Sequence, residues 1–144
     1  MLDKFRERRD EESGFTLVEL LVVMLILGIL AAIAVPAFFS QRDKARDADA
    51  KAAVRTSQTA IEAFATDNGG DYTGALPADL IAIEPTLTGK TIAVTAAAAT
   101  YTLTVDSVVT GQSFTIQRLD SGASDFECTV HGDAGCPTDG NWGT

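Results

Sequence analysis

The chain has 144 residues, a formal net charge of −9 and 46% hydrophobic residues, enough for one modest domain with an extension. After Ala60 only Lys90 and Arg118 are basic, against eleven acids, which argues against a nucleic-acid-binding surface in the C-terminal half. A single histidine, no nucleophile elbow and no phosphate loop leave little for catalysis, so a membrane-anchored enzyme finds little support.

Residues 1–14, MLDKFRERRDEESG, are polar and mixed in sign, with four Lys/Arg and five Asp/Glu, and read as a leader. From residue 15 the sequence turns apolar, and no charge occurs between Leu20 and Phe39. Such a run, about 30 Å long as a helix, matches the hydrocarbon core of a bilayer. It is too long for the apolar region of an ordinary secretory signal. Basic residues flank it on both sides, so the positive-inside count does not orient it.

Residues 40–67 favour helix by composition, with Ala50, Val54, Ile61, Phe64 and Ala65 at helical spacing and Asp47/Lys51 as an i,i+4 acid–base pair. Asn68-Gly69-Gly70 is a stop signal. The expectation is one helix from about residue 15 to about residue 67, kinked or opened at Pro36 and weakened at Gly28. The ladder Arg42, Lys44, Arg46, Lys51 and Arg55 reads as a solvated helix face, with lipid headgroups or acidic neighbours as an alternative.

Beyond the helix, residues 72–85 read as a loop with a short helical turn at residues 78–82. Four β-like runs follow: TIAVT (91–95), YTLTV (101–105), FTIQRL (114–119) and FECTV (126–130). They predict a small antiparallel sheet that needs the stripe of Ile61 and Phe64 to complete a core. The alanines at 96–99 read as part of a connection, and the tail as irregular. Cys128 and Cys136, with seven residues between them, fit neither a CxxC motif nor a zinc site. A disulfide closing a small loop in an oxidising compartment is the better reading, with two free thiols the alternative.

One further residue stands out. Glu19 sits at the head of the apolar run with no cation within a helical turn, where a carboxylate is costly without a partner. The stretch Ser13-Gly14-Phe15-Thr16-Leu17-Val18-Glu19 resembles the prepilin cleavage and N-methylation motif of type IV pilins and of the pseudopilins of type II secretion. Gly28 and Pro36 match the family's helix glycine and helix-breaking proline, and ATDNGGDYTG is similar to the segment that follows the helix in that family. The resemblance covers residues 1 to about 75.

The resemblance implies an α+β lollipop: a long N-terminal helix, transmembrane in its first half, packed on a small antiparallel sheet. The implied segments are a leader (1–14), an assembly helix (15–39), its amphipathic continuation (40–67), and a loop, sheet and disulfide-loop region (68–144). A prepilin peptidase would cut after Gly14 and methylate the amine of Phe15. The subunit would wait as a single-pass protein of the cytoplasmic membrane until the assembly machinery extracts it into a helical homo-oligomeric surface filament. Glu19 would then pair with the Phe15 amine of its own or a neighbouring subunit and set register. The implied function is a type IV pilin serving adhesion, motility or DNA uptake, with a major pseudopilin of type II secretion as the alternative. No cofactor and no directly bound nucleic acid are expected. A calcium ion held by Asp125, Asp133 and Asp139, as in major pseudopilins, is a weak option because their spacing matches no loop pattern.

Overall fold

The structure is a computed structural model that describes residues 14–143; the leader residues 1–13 lie outside the described residues. In chain order the elements are α1 (Leu17–Asp67), α2 (Pro77–Ile83), a 3-10 turn (Pro85–Leu87), and strands β1 (Ile92–Ala96), β2 (Tyr101–Asp106), β3 (Ser113–Arg118) and β4 (Ser124–Cys128). The protein is α+β, and it divides into two units between Phe39 and Ser40.

The first unit holds the N-terminal part of α1. Its apolar side chains are exposed on every side, from Leu17 at 72% to Phe38 at 66%. It contains a window of mean hydropathy 2.9, long and apolar enough to cross a membrane. The helix runs through Gly28 and Pro36 without interruption, so the expected opening at Pro36 is not present in the single chain. Proline removes one hydrogen bond and crowds the preceding turn, a cost of about 3 kcal/mol. The turns on both sides, one bond per residue, outweigh that local loss.

The second unit is a meander of order β1-β2-β3-β4, antiparallel throughout, packed on the 40–67 part of α1. Register follows the hydrophobic alternation. Tyr101, Leu103 and Val105 of β2 and Phe114 and Ile116 of β3 are fully or almost fully buried, while Thr102, Thr104 and Thr115 lie on the opposite face. Val105 stands opposite Phe114 and Leu103 opposite Ile116, so a one-residue slip would turn the whole set to water. The helix contributes Ala50, Ala53, Val54, Ser57, Ala60, Ile61 and Ala65, all buried, with Phe64 partly buried beside them. Four alanines on that face let the sheet approach closely, and Val54 and Ile61 fill the space between. Each fully buried branched side chain contributes about 1.5–3 kcal/mol.

Several details differ from the pattern read in the sequence. Ala96 belongs to β1, paired with Tyr101, because cross-strand pairing overrides alanine's helical preference. Only Ala97 to Thr100 forms the connection, closed by the Ala97 N–H donating to the Thr100 carbonyl. The last strand starts at Ser124 and ends at Cys128, two residues before the expected 126–130. There the Cys128 N–H donates to the Gly140 carbonyl, and the chain turns into the loop the disulfide closes. The tail is not wholly irregular: Asn141 bridges to Glu127 at the edge of the sheet.

Candidate functional site: the helix head and the disulfide loop

Gly14, Phe15 and Thr16 precede the first helical residue, Leu17, and are exposed; Phe15 is 81% accessible. Thr16 is the N-cap, since its carbonyl accepts the first helical bond, from Leu20 N–H. Its side chain and that of Glu19 satisfy each other reciprocally. The Thr16 N–H and hydroxyl both donate to Glu19 Oε2 at 2.8 Å, and the Glu19 N–H donates to Thr16 Oγ1 at 3.2 Å. This is a capping box. Within one chain, therefore, Glu19 is not a lone carboxylate: it caps the start of the helix and is held at its positive end. The signal was present in the sequence, because Thr-x-x-Glu directly before an apolar run is the capping-box pattern.

The stop at Asn68 leads into the segment similar to that of pilins. Gly69 and Gly70 have φ of 71° and 92°, the left-handed region that favours glycine. The Gly70 N–H returns to the Ala65 carbonyl at 2.7 Å. That turn delivers Tyr72 back onto the helix, where its hydroxyl donates to Glu62 Oε2 at 2.6 Å. Tyr101 of β2 donates to Glu62 Oε1 at 2.9 Å, and Arg118 of β3 pairs with the same oxygen at 3.1 Å. Glu62 thus ties the post-helix turn and two strands to α1. Burial chiefly, with Glu62 contributing, pushes the Tyr101 hydroxyl up to about 12 and raises Tyr72 in the same direction. Sequence reasoning missed this hub because its four residues lie far apart in the chain.

Cys128 and Cys136 are joined by a disulfide, with Cα atoms 5.8 Å apart. Inside the loop, the Gly135 N–H donates to Asp47 Oδ2 at 2.8 Å and its carbonyl accepts from Lys51 Nζ at 2.6 Å. Asp47 is fully buried and accepts a second hydrogen bond, from the Ser107 hydroxyl, at 2.7 Å. The i,i+4 pair expected between Asp47 and Lys51 is replaced by this arrangement, in which both side chains turn to one glycine. Nor is the basic ladder a uniformly solvated face. Lys51 lies 5.2 Å from the centre of the Phe114 ring, and Arg55 lies over both Phe126 and Trp142. Burial, more than the Arg55 charge, lowers the Lys51 pKa from the ordinary lysine value, while Asp47 opposes the shift. Farther up the helix, Arg46 pairs with Asp43 at 3.5 Å.

Asp125 and Asp139 line an open depression of about 310 Å³ with Glu127 and His131, but Asp133 does not. Among the described residues no group of three His, Cys, Asp or Glu side chains is placed to hold a metal.

Residues 9–35 match the family model described as the prokaryotic N-terminal methylation motif. The chain is 30% identical over 136 residues to the fimbrial protein EcpC of Eikenella corrodens, covering 85% of this chain and 86% of that one. It is 43% identical over 61 residues to type II secretion system core protein G of Pseudomonas aeruginosa, and 43% identical over 51 residues to the type IV major pilin protein PilA of Myxococcus xanthus. These two matches cover 42% and 35% of this chain, and 43% and 23% of the relatives. With 55% of the Aeromonas hydrophila core protein G also covered, the chain spans about half the length of the secretion proteins it matches. No solved structure matches it. An apolar helix headed by a methylation motif and followed by a four-stranded antiparallel sheet defines a pilin-type subunit. The chain belongs to the family of type IV pilins and type II secretion pseudopilins.

Proposed function

We propose that this protein is a type IV pilin, cut after Gly14, methylated on Phe15 and polymerised into a surface filament. It works by assembly and carries no catalytic activity. The observation that favours a pilin is extent: similarity to a fimbrial protein runs over 85% of the chain, whereas similarity to core protein G of Pseudomonas covers 42%. The cysteine loop favours the same reading. A major pseudopilin of type II secretion is the second reading, because several core G proteins are among the relatives.

In the precursor Glu19 is satisfied by Thr16. Cutting after Gly14 creates an amine on Phe15, directly beside the N-cap, and supplies the cation the carboxylate lacks in the sequence. Shielded from water, that pair within or between subunits fixes register more than it adds stability. Gly28 and Pro36 are the points at which the helix opens when it packs among copies. The prepilin peptidase, the assembly machinery of the membrane and further copies of the chain are the partners.

The test is a cell-surface shear preparation analysed by mass spectrometry of the N-terminal peptide. Filaments containing a peptide that starts at N-methylated Phe15 support the reading. Mature protein that stays in the membrane and is absent from sheared filaments refutes it and favours the pseudopilin.

A further inference from the structure

The disulfide loop meets α1 through the backbone of one residue, Gly135. Gly135 gives its N–H to Asp47 and its carbonyl to Lys51, two side chains one helical turn apart. A side chain at Gly135 would not fit, since a Cβ there would lie 2.6 Å from Asp47 Cβ. Asp47 is fully buried, and a buried carboxylate is tolerated only when its oxygens are hydrogen-bonded. One of its oxygens depends on the loop and the other on Ser107. Lys51 also reaches the Trp142 ring at 5.8 Å, so the same cation touches the loop and the tail. Trp142 packs edge-on against Phe114 and Phe126 and donates its indole N–H to the Glu127 carbonyl at 2.8 Å. Gly135 is adjacent to Cys136, so the disulfide closes the loop directly beside its contacts with Asp47 and Lys51, and the Cys128 N–H holds the Gly140 carbonyl of the tail that carries Trp142.

We propose that the Cys128–Cys136 loop is a redox-set latch on α1. Closed, it seats Gly135 on Asp47 and Lys51 and holds Trp142 against the helix. Open, it releases residues 129–143 from α1 while β2 and β3, whose ladder with each other runs outside the loop, keep their pairing. The two thiols close by passing two electrons and two protons to a disulfide-containing oxidant, which leaves as two thiols. A phosphine opens the latch: it takes the oxygen of one water to become a phosphine oxide, and two thiols result. The consequence is a subunit whose helix face around residues 47–55 is finished only after oxidation. This goes beyond the choice between pilin and pseudopilin and holds for either.

The experiment uses the full chain in detergent micelles, with Trp142, the one tryptophan, as reporter. Phosphine reduction is expected to move the Trp142 emission maximum to the red and to speed thermolysin cleavage within residues 129–143 about tenfold, with amide exchange in β2 and β3 unchanged. Oxidised Gly135→Ala is expected to reproduce both changes with its disulfide intact. If that variant does not fold, oxidised Lys51→Met, which removes the donor to the Gly135 carbonyl together with the cation over the Phe114 and Trp142 rings, must still raise cleavage in 129–143. The proposal is overturned by reduced protein that keeps the oxidised emission and cleavage, or by a folded Gly135→Ala, or failing that Lys51→Met, that behaves as wild type. It is also overturned if reduction deprotects β2 and β3, which would make the disulfide a staple for the whole unit.

Discussion

Replacing Glu62 with alanine removes one acceptor from three donors at once. Tyr101 is 2% exposed and Tyr72 5%, so neither hydroxyl can turn to water freely. An unsatisfied buried hydroxyl costs about 1–3 kcal/mol. The Arg118 side chain is 31% exposed and rehydrates, so its ion pair adds less than about 1 kcal/mol. The sum is about 3 kcal/mol, which for a unit of this size lowers the melting temperature by more than about 10 °C. Glu62→Gln keeps one oxygen and loses the charge, and is expected to lie between wild type and alanine. The assay is a thermal melt followed by Trp142 emission in micelles. A Glu62→Ala protein melting within about 2 °C of wild type would refute the hub. Adding Tyr101→Phe to Glu62→Ala is expected to recover part of the loss, because no orphaned hydroxyl then remains at β2.

Two further outcomes follow from the same geometry. The Tyr101 hydroxyl is raised from 10.0 to about 12 in the folded chain, mainly by burial, so the protonated form is favoured by folding. Its contribution, on the order of 2 kcal/mol, is present below pH 10 and is lost as pH rises toward 12. Tyrosinate absorbance of the folded protein rising fully near pH 10 would count against it. At the helix head, Glu19→Ala removes the capping box and loosens the first turn. Cleavage after Gly14 is expected to persist while the yield of sheared filaments falls. Unchanged yield would sink the registry role of Glu19.

Wherever a property is local, the sequence alone determines it here. An uncharged apolar run from residue 20 to 39 makes a helix fit for a bilayer, whatever follows it. Asn68-Gly69-Gly70 ends α1 because glycine accepts left-handed dihedrals. Alternating β-branched and aromatic residues place four strands and choose which face of β2 and β3 turns inward. The capping box at Thr16 and Glu19 is local in the same way, a Thr-x-x-Glu pattern directly before an apolar run.

Tertiary structure decided the rest, since it depends on groups distant in the chain meeting in space. Nothing local says that Asp47 is buried: beside Lys51 it reads as half of a surface pair. It becomes a core residue because Gly135, 88 positions away, brings a backbone N–H to it. Glu62 likewise reads as a solvated helix residue until the glycine turn returns Tyr72 and the sheet delivers Tyr101 and Arg118. Loop closure brought those donors together. Desolvation then made each hydrogen bond one the fold cannot leave unmade.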